Sequence, residues 1–521
     1  MSKARRAALV QALALLAIGL PAAAWGLVDV PTSERRAIAI ADLASSSGVS
    51  LPVDTAVLPM DDVEYVRAYK ALSSRGLTDP LGARLAAMEK ARSDGALHLE
   101  FLRPQLDVRG FYLGSQGEQR VLYHSSDDEL REGFNAFQSA SGYAFWGDWL
   151  GGAYELQIQE DEGDFDYRTK RLYLKGVWGK WSLKVGRDSE RLGPGYHSSL
   201  LLDDTAPTFD LWRVRTEQPL FLPGKLGWIG GFRFSVFNAY LADSHPTAPN
   251  ALYGSGENVV EDPRLLGMRG SYLPKAWLEF GFNRAVMYGG KGRTTYDSPR
   301  DWWELLSARN EHTGGKYDND QLASFDIIVS LPFLNGLGPF RGGKLYWEHG
   351  GGDGGPVTPE LNWASNRAFW FLPFALYDPS YLGGLYVSTA ITDFRFEYAD
   401  VQHNWYIHTS YPQGYTYQGV PMGHHAGRDA VNYYFELSRH FGPAWRALLG
   451  VDLEERGRDQ KDSERRIEGS LTVERYNLEI LGHRVTVRGD ALLASVQDPL
   501  DDPEQEDRVE YYLGAGIQLQ L

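Results

Sequence analysis

The sequence predicts an all-β fold, a transmembrane antiparallel β-barrel of about 18 strands with a small N-terminal helical segment. Three observations lead to this prediction. The chain opens with a secretory signal, which indicates export. Most of the remaining sequence alternates apolar and polar residues with the period of two that is typical of strands. The connections between these strands alternate between short and long, which is the asymmetry of an outer-membrane barrel.

The composition excludes several other classes of protein. The 521 residues are 43% hydrophobic and 13% aromatic and include no cysteine, which excludes a disulfide scaffold and a thiolate metal site. The chain carries 52 basic and 68 acidic residues, a formal net charge of −16, and no stretch that concentrates basic side chains. We therefore expect no nucleic acid among its partners, because a phosphate backbone requires clustered positive charge.

Residues 1–24 are predicted to be a signal peptide. Three basic residues precede a mostly apolar stretch over residues 7–20, and a run of alanines ending at Ala24 follows. This order is typical of a cleaved secretory signal. Beyond it the sequence has no run of about 18 apolar residues, so we expect no membrane-spanning helix. A soluble exported protein and a transmembrane barrel both remain compatible with this finding.

Residues 25–96 are predicted to form a periplasmic helical segment. Apolar residues recur at helical spacing from about residue 60 to residue 94, and Asp61 and Asp62 are candidate caps at the start. Residues 76–80 interrupt this pattern and divide it into two short helices. The sequence gives no firm prediction for residues 27–59.

From residue 97 to residue 521 the period is two, which predicts the barrel. Leu172 and Leu174 alternate with charged neighbours, and after a tight turn Leu183 and Val185 do the same. The alternation recurs along the rest of the chain and ends in the C-terminal strand. One face of each strand is therefore apolar and the other is mostly polar.

The turns distinguish a membrane barrel from a β-sandwich, whose strands would also alternate. Reading back from the C-terminus, turns of a few residues alternate with long connections. The long connections cover about 498–507, 456–463, 403–427, 350–383, 289–319 and 242–263. A strand near residues 104–113 would close the series, whereas 114–133 fit no element. If the short turns are periplasmic, the helical segment lies there too, beside the first strand, and the long loops face outside.

Five sequence blocks stand out, and the most specific is WYIHTSYPQGYTYQGVPMGHHAGRD at residues 405–429; the others lie at 192–207, 263–293, 319–332 and 394–400. Together they resemble the Wzi family of outer-membrane capsule-assembly proteins. The resemblance implies an outer-membrane barrel of about 18 strands with a periplasmic helical bundle. It also implies a lectin-like role in attaching or assembling capsule or exopolysaccharide. Surface polysaccharide and outer-membrane lipids would be its partners, with other capsule or exopolysaccharide assembly proteins as further candidates.

Aromatic residues in the long loops are the candidate saccharide-binding residues, because aromatic faces stack on the C–H surfaces of sugar rings. They are Tyr296, Trp302, Trp303, Trp363, Trp370, Tyr411, Tyr415 and Tyr417. The alternative interpretation is that many of them belong to the aromatic girdle at the membrane interface.

The sequence supports other chemistry less well. Four histidines, at positions 403, 408, 424 and 425, lack metal-binding spacing, so we expect hydrogen bonding there, no metal and no cofactor. The run GGGDGG at 350–355 lacks the Lys and Ser or Thr of a phosphate-binding loop. No catalytic motif is present, so we expect no enzyme. An outer-membrane porin or polysaccharide export channel remains the alternative function, since a barrel of this size can enclose an aqueous lumen.

Overall fold

The structure, a computed structural model, covers most of the chain. It describes residues 27–31, 35–48, 55–73, 79–92, 95–99, 104–114, 120–125, 128–161, 164–241, 260–293, 296, 298–307, 318–352, 354–356, 374–376, 379–442, 444–459, 463–499 and 507–520. The predicted signal peptide and two of the candidate saccharide-binding residues, Trp363 and Trp370, lie outside the described residues.

Within the described residues, eighteen long antiparallel strands close into one barrel. The first nine are β1 Gln105–Gly114, β2 Gly133–Trp146, β3 Leu150–Asp161, β4 Asp164–Trp178, β5 Trp181–Asp188, β6 Phe209–Thr216, β7 Gly231–Tyr240, β8 Arg264–Lys275 and β9 Leu278–Tyr288. The other nine are β10 Asp320–Ser330, β11 Phe340–Gly351, β12 Ser380–Thr389, β13 Thr392–Val401, β14 Ala430–Phe441, β15 Trp445–Arg456, β16 Glu464–Ile480, β17 His483–Gln497 and β18 Arg508–Gln520.

The barrel closes where its last strand meets its first. β18 pairs with β1 over ten residues, from Gln520 opposite Gln105 to Tyr511 opposite Gly114. The short segments Leu97–His98 and Leu220–Phe221 add to the same sheet. The predicted fold class is confirmed, and so is the closing strand expected near residues 104–113.

The alternation along the strands separates a lipid-compatible surface from a polar lumen. On β4, Leu172 and Leu174 point outward with 58% and 61% of their surface exposed, whereas Arg171 and Lys175 point inward and are buried. An apolar outer face is what a strand needs to contact lipid. Exposed tryptophans lie at or next to the ends of the strands: Trp146, Trp149, Trp178, Trp228, Trp277 and Trp445.

The two ends of the barrel differ in the length of their connections. At the short-turn end, two-residue turns occupy residues 179–180, 390–391 and 481–482. At the long-loop end, the connections include residues 189–208 and 402–429. One connection at the long-loop end is short, since β3 and β4 are joined across residues 162–163.

Three helices precede the barrel: α1 Arg35–Ser46, α2 Asp62–Ser73 and α3 Pro80–Arg92. The helical pattern predicts the second and third, whereas α1 lies within residues 27–59, for which the pattern makes no firm prediction. No helix among the described residues is long and apolar enough to cross a membrane.

The helical segment lies across the short-turn mouth of the barrel, and not only beside the first strand as expected. α1 packs against β11. The guanidinium of Arg36 lies 3.5 Å from the ring centroid of Tyr476 on β16, and that of Arg84 lies 5.1 Å from the ring of Tyr143 on β2. We call the described residues between 27 and 92 the N-terminal plug. Its predicted periplasmic location stays a prediction.

Two connections from the other end also enter the lumen. Residues 189–208 and 402–429 are mostly buried, and we call them together the loop plug. The two plugs meet inside the barrel, where Val57–Leu58 pairs with Arg191–Leu192 as a short antiparallel ladder. The lumen is therefore filled from both ends.

Candidate functional site

The carboxylate of Asp29 ties the N-terminal plug to the lumen wall. Its oxygens lie 2.5 Å from Arg213, 2.8 Å from Lys175, 3.3 Å from Lys184 and 3.4 Å from Arg215. These cations come from β4, β5 and β6, and all five residues are buried. Burial opposes the charged carboxylate, but the four cations outweigh it and hold the pKa of Asp29 well below its usual value.

A second anchor lies on a different part of the wall. Asp42 of α1 accepts from Lys344 of β11 at 2.7 Å and from Arg395 of β13 at 3.0 Å. Burial again opposes the charge, and the two cations lower the pKa of Asp42 below its usual value. Wall charges that would line a conduit are thus paired with carboxylates of the N-terminal plug.

The loop plug is held by aromatic packing. The Tyr406 hydroxyl donates to the Leu200 carbonyl at 2.5 Å and accepts from the His424 N–H at 2.7 Å. The Tyr415 ring stacks on Tyr406 with centroids 5.8 Å apart. A Cβ at Gly423 would lie 2.4 Å from the Tyr406 ring, so glycine is required for this approach. The 405–429 block thus encodes a packed structure inside the barrel.

Three candidate saccharide-binding residues belong to this packing. Tyr411, Tyr415 and Tyr417 expose 0%, 1% and 4% of their surface. Their rings contact protein inside the barrel, so they lie neither in a membrane girdle nor on a surface that a polymer could reach. The prediction that they bind saccharide does not fit this burial, and we leave them out of the proposal below.

The other described candidates lie on and before a short helix of the 289–319 connection, α4 Pro299–Leu306. Ser298 and Asp301 form a capping box at its start, with each side chain bonded to the backbone N–H of the other residue. The carbonyls of Leu305 and Leu306 at its end accept from Arg284 at 2.8 Å and 2.6 Å. The helix is therefore fixed at both ends.

The aromatic side chains near α4 differ in exposure. Tyr296 is 4% exposed and packs edge-on against Tyr288 at 5.1 Å. Trp302 is half-buried and joins the same cluster, whereas Trp303 exposes 61% of its surface. Trp303 is therefore the one described candidate whose ring faces solvent.

A polar pocket at the long-loop end was not predicted from the sequence. It has a volume of about 180 Å³ and lies between the β3–β4 hairpin and the short strand Glu129–Leu130. We call it the rim pocket. Its lining residues are Glu129, Arg131, Gln159, Asp164, Phe165, Asp166 and Arg168.

The rim pocket combines an aromatic ring with planar polar groups. Phe165 exposes 60% of its surface. The side chain of Gln159 is buried and donates to the Glu129 carbonyl at 2.7 Å, while its Oε1 atom has no hydrogen-bond partner among the described residues. Arg168 pairs with Asp166 at 2.5 Å. Such groups can bind the hydroxyls and one apolar face of a sugar ring.

Part of the rim pocket could have been recognised from the sequence. Phe165 and Tyr167 alternate with Asp164 and Asp166 directly after the tight turn between β3 and β4. Aromatic residues that expose 60% and 74% of their surface at a hairpin tip indicate a contact site. Arg131 and Glu129 come from a different connection, and only the fold brings them here.

Histidine side chains meet carboxylates deeper inside the long-loop end. His197 Nε2 lies 2.8 Å from Asp452 Oδ2, and His425 Nε2 lies 2.7 Å from Glu454 Oε1. All four side chains are buried. These histidines belong to the two halves of the loop plug, and the carboxylates belong to β15.

Comparison with known proteins identifies the family of this chain. The family described as capsule assembly protein Wzi matches residues 113–507, about three quarters of the chain. An uncharacterized 55.8 kDa protein in the cps region of Klebsiella pneumoniae is 26% identical over 226 residues. That match spans 41% of this chain and only 41% of the Klebsiella protein.

One solved structure resembles the whole chain. Wzi of Escherichia coli is described as an outer-membrane, carbohydrate-binding β-barrel involved in group 1 capsule assembly. It is 18% identical, with a TM-score of 0.61, and the match covers 96% of this chain and 100% of that protein. At this identity the likeness supports the fold.

Proposed function

The chain belongs to the Wzi family of capsule assembly proteins, and from this premise we propose that it binds surface polysaccharide at the long-loop end of an outer-membrane barrel. By that binding it attaches or helps assemble capsule or exopolysaccharide. It acts by binding a polymer and not by catalysis.

The observation that carries the proposal is the rim pocket. It includes Phe165, which exposes 60% of its surface, in one lining with carboxylates, guanidinium groups and the Oε1 atom of Gln159, which has no hydrogen-bond partner among the described residues. Its volume of about 180 Å³ is below the ~300–1,000 Å³ typical of pockets for drug-sized ligands. We expect it to hold one sugar unit of a chain that continues across the rim. Trp303, exposed on α4, is a second candidate contact.

The channel alternative receives less support from the described residues. The N-terminal plug and the loop plug meet inside the lumen and pair with its charged wall. Transport would require one of them to move. The E. coli relative is described as carbohydrate-binding, which agrees with the proposed role.

The proposed topology follows from the same arrangement. Residues 1–24 are removed on export, residues 25–96 close the barrel from the periplasm, and residues 97–521 form the barrel. The rim pocket then faces the cell exterior, where the polymer lies.

The test is binding of the purified, detergent-folded protein to the host's own surface polysaccharide, with an unrelated polysaccharide as the control ligand. We expect selective binding by the wild type. Phe165→Ala combined with Arg131→Ala should weaken it by about tenfold, because the variant loses the stacking face and a guanidinium donor, together worth about 1–2 kcal/mol.

The matched control is Phe221→Ala, which removes a phenylalanine that is 54% exposed at the short-turn end. Its affinity should equal that of the wild type. Selective binding that survives the double variant unchanged would move the site away from the rim pocket. Absence of selective binding by folded wild type would refute the proposed function and make planar-bilayer conductance the next measurement.

A further inference from the structure

Three buried ligand atoms converge where the loop plug meets the barrel wall. The Nε2 atoms of His197 and His425 and the Oδ2 atom of Asp452 all lie within 4.8 Å of one another. Asp452 Oδ2 is 2.8 Å from His197 and 3.7 Å from His425, and Glu454 Oε1 is 2.7 Å from His425. Two imidazoles and the carboxylate of Asp452 thus meet at one point, and the carboxylate of Glu454 lies beside His425.

Each carboxylate directs one oxygen at a histidine, while a neighbour holds the other oxygen. Asn432 donates to Oδ1 of Asp452, and the Arg456 guanidinium lies 2.5 Å from Oε2 of Glu454. Outer donors of this kind orient the ligands of a metal ion and are part of how a metal site is built. The inward oxygens remain available to the histidines or to an ion between them.

The imidazole rings are also fixed in orientation. His197 stacks on Tyr434 with centroids 3.7 Å apart and planes 1° apart. His425 packs against Tyr123 at 4.4 Å and against His424 at 4.6 Å. The Nε2 atoms are therefore held facing the carboxylates, and no change of rotamer is needed before an ion binds, as a preorganised site requires.

We propose that His197, His425 and Asp452 form a binding site for Zn²⁺, with the fourth position of the ion left for water. Zinc takes four ligands in tetrahedral geometry from imidazole nitrogens and carboxylate oxygens at about 2.0–2.2 Å. Calcium and magnesium prefer sites built from oxygen alone, and two imidazoles disfavour them. The ion would link residue 197 of one plug loop, residue 425 of the other and the strand β15, and so hold the loop plug to the wall.

A neighbouring group of similar composition is less suited to an ion. His124 lies 2.9 Å from Asp204, with Asp203 close by. Both oxygens of Asp203 are engaged, one by Arg191 at 3.1 Å and the other by Ser198 and Thr205 at 3.1 and 3.0 Å. The inference therefore concerns the first group alone, and it does not depend on polysaccharide binding.

The test uses the full-length, detergent-folded protein stripped with EDTA and titrated with Zn²⁺ against a competing chelator. We expect one Zn²⁺ per chain and a rise in Tm with Zn²⁺ that Mg²⁺ does not produce. His197→Gln and His425→Gln should each lower the affinity for Zn²⁺ by at least ~10–100-fold. That is the loss caused by removing only a hydrogen-bond partner of a metal ligand. His403→Gln, an exposed histidine of the same loop, should bind as the wild type does.

The proposal is overturned if the stripped wild type takes up no Zn²⁺, or if the His197→Gln and His425→Gln variants bind it as tightly as the wild type. Heat-modifiable gel mobility reports whether each variant has folded. Should either variant fail to fold, the ligand-field spectrum of Co²⁺ added to the wild type decides whether the site binds a metal ion. Tetrahedral coordination by nitrogen and oxygen gives a spectrum that differs from that of the hydrated ion.

Discussion

The two plugs close the same barrel by different physical means. The N-terminal plug is held by buried charge, with Asp29 facing four cations and Asp42 facing two. The loop plug is held by buried rings and their hydrogen bonds, centred on Tyr406 and Tyr415. The first depends on neutralising a charged wall, whereas the second depends on shape. Removal of one partner should therefore be more disruptive in the first plug than in the second.

This difference also shows how the charged side chains of the barrel wall are neutralised. A barrel of this size needs an interior that tolerates water, and a porin would leave it solvated. Here Lys175, Lys184 and Arg213 are fully buried, and Asp29 of the plug supplies part of their counter-charge. Other buried carboxylates that pair with these cations are those of Asp188, Glu190 and Glu217. The lumen is polar in composition but holds protein in place of an aqueous path at these residues.

Lowering the pH should have the largest effect, because it removes both anchors together. The folded-state pKa values of Asp29 and Asp42 lie below the ordinary 3.8. Each therefore contributes stability that is fully present above about pH 3.8 and is lost as the pH falls through the folded value. We expect protease access to the N-terminal plug and stepwise bilayer conductance to appear only below that pH. A plug that stays protected throughout acid titration would contradict the charge-anchor account.

The substitution Asp29→Asn, which removes one anchor, should have the second-largest effect. Removal of one partner from a buried ion pair typically costs about 3–5 kcal/mol, and here the four cations keep Asp188, Glu190 and Glu217 as buried counter-charges. We expect the free energy of unfolding to fall by about that amount. The plug should also become accessible to protease at neutral pH.

The matched control for that variant is Asp210→Asn. Asp210 pairs with Arg187 at 2.8 Å, but both side chains are about one third exposed. A pair of this kind contributes less than about 1 kcal/mol. Equal losses in the two variants would mean that burial does not distinguish the plug anchor from an ordinary ion pair.

Tyr406→Phe tests the aromatic plug and should have a smaller effect. The ring and its stacking remain, but the Leu200 carbonyl and the His424 N–H lose their hydroxyl partner. We expect a loss of about 1–3 kcal/mol in unfolding free energy, with the N-terminal plug still protected from protease. A release of the N-terminal plug by this change would show that the two plugs are not independent.

The smallest effect is expected outside both plugs, at Trp303. Trp302→Ala with Trp303→Ala should leave barrel assembly intact and weaken polysaccharide retention by roughly 2- to 10-fold, the value of one aromatic contact. Trp228→Ala removes a tryptophan that is 77% exposed near the opposite end and should leave retention unchanged. If the double variant retains polymer like the wild type, α4 is not a contact and the rim pocket acts alone.

The strands were predictable because lipid outside and polar surroundings inside impose a period of two on every one of them. Leu172, Leu174 and their charged neighbours show this within a single strand. Helix α1 was not predictable in the same way. Its sequence RRAIAIADLASS contains a continuous apolar run at residues 37–41, and so short a run does not distinguish a helix from a buried strand.

The contacts that define the plugs could not be read from local sequence. Asp29 and Lys175 are 146 positions apart, and Asp42 and Arg395 are 353 apart. The loop tyrosines were assigned to saccharide because a long loop was assumed to face outward, whereas this one folds into the lumen. In the rim pocket only the β3–β4 hairpin has a local signal, since Arg131 reaches it through the fold.

The anchors of the N-terminal plug also imply a sequence of steps in the folding of the barrel. Asp29 needs β4–β6, Asp42 needs β11 and β13, and Arg36 needs β16. The plug precedes every one of these strands in the chain, so its residues must wait for partners that are synthesised and paired later. Contacts of such long sequence separation form slowly. Plug docking is therefore a late step, and its completion reports that the barrel wall is already in register.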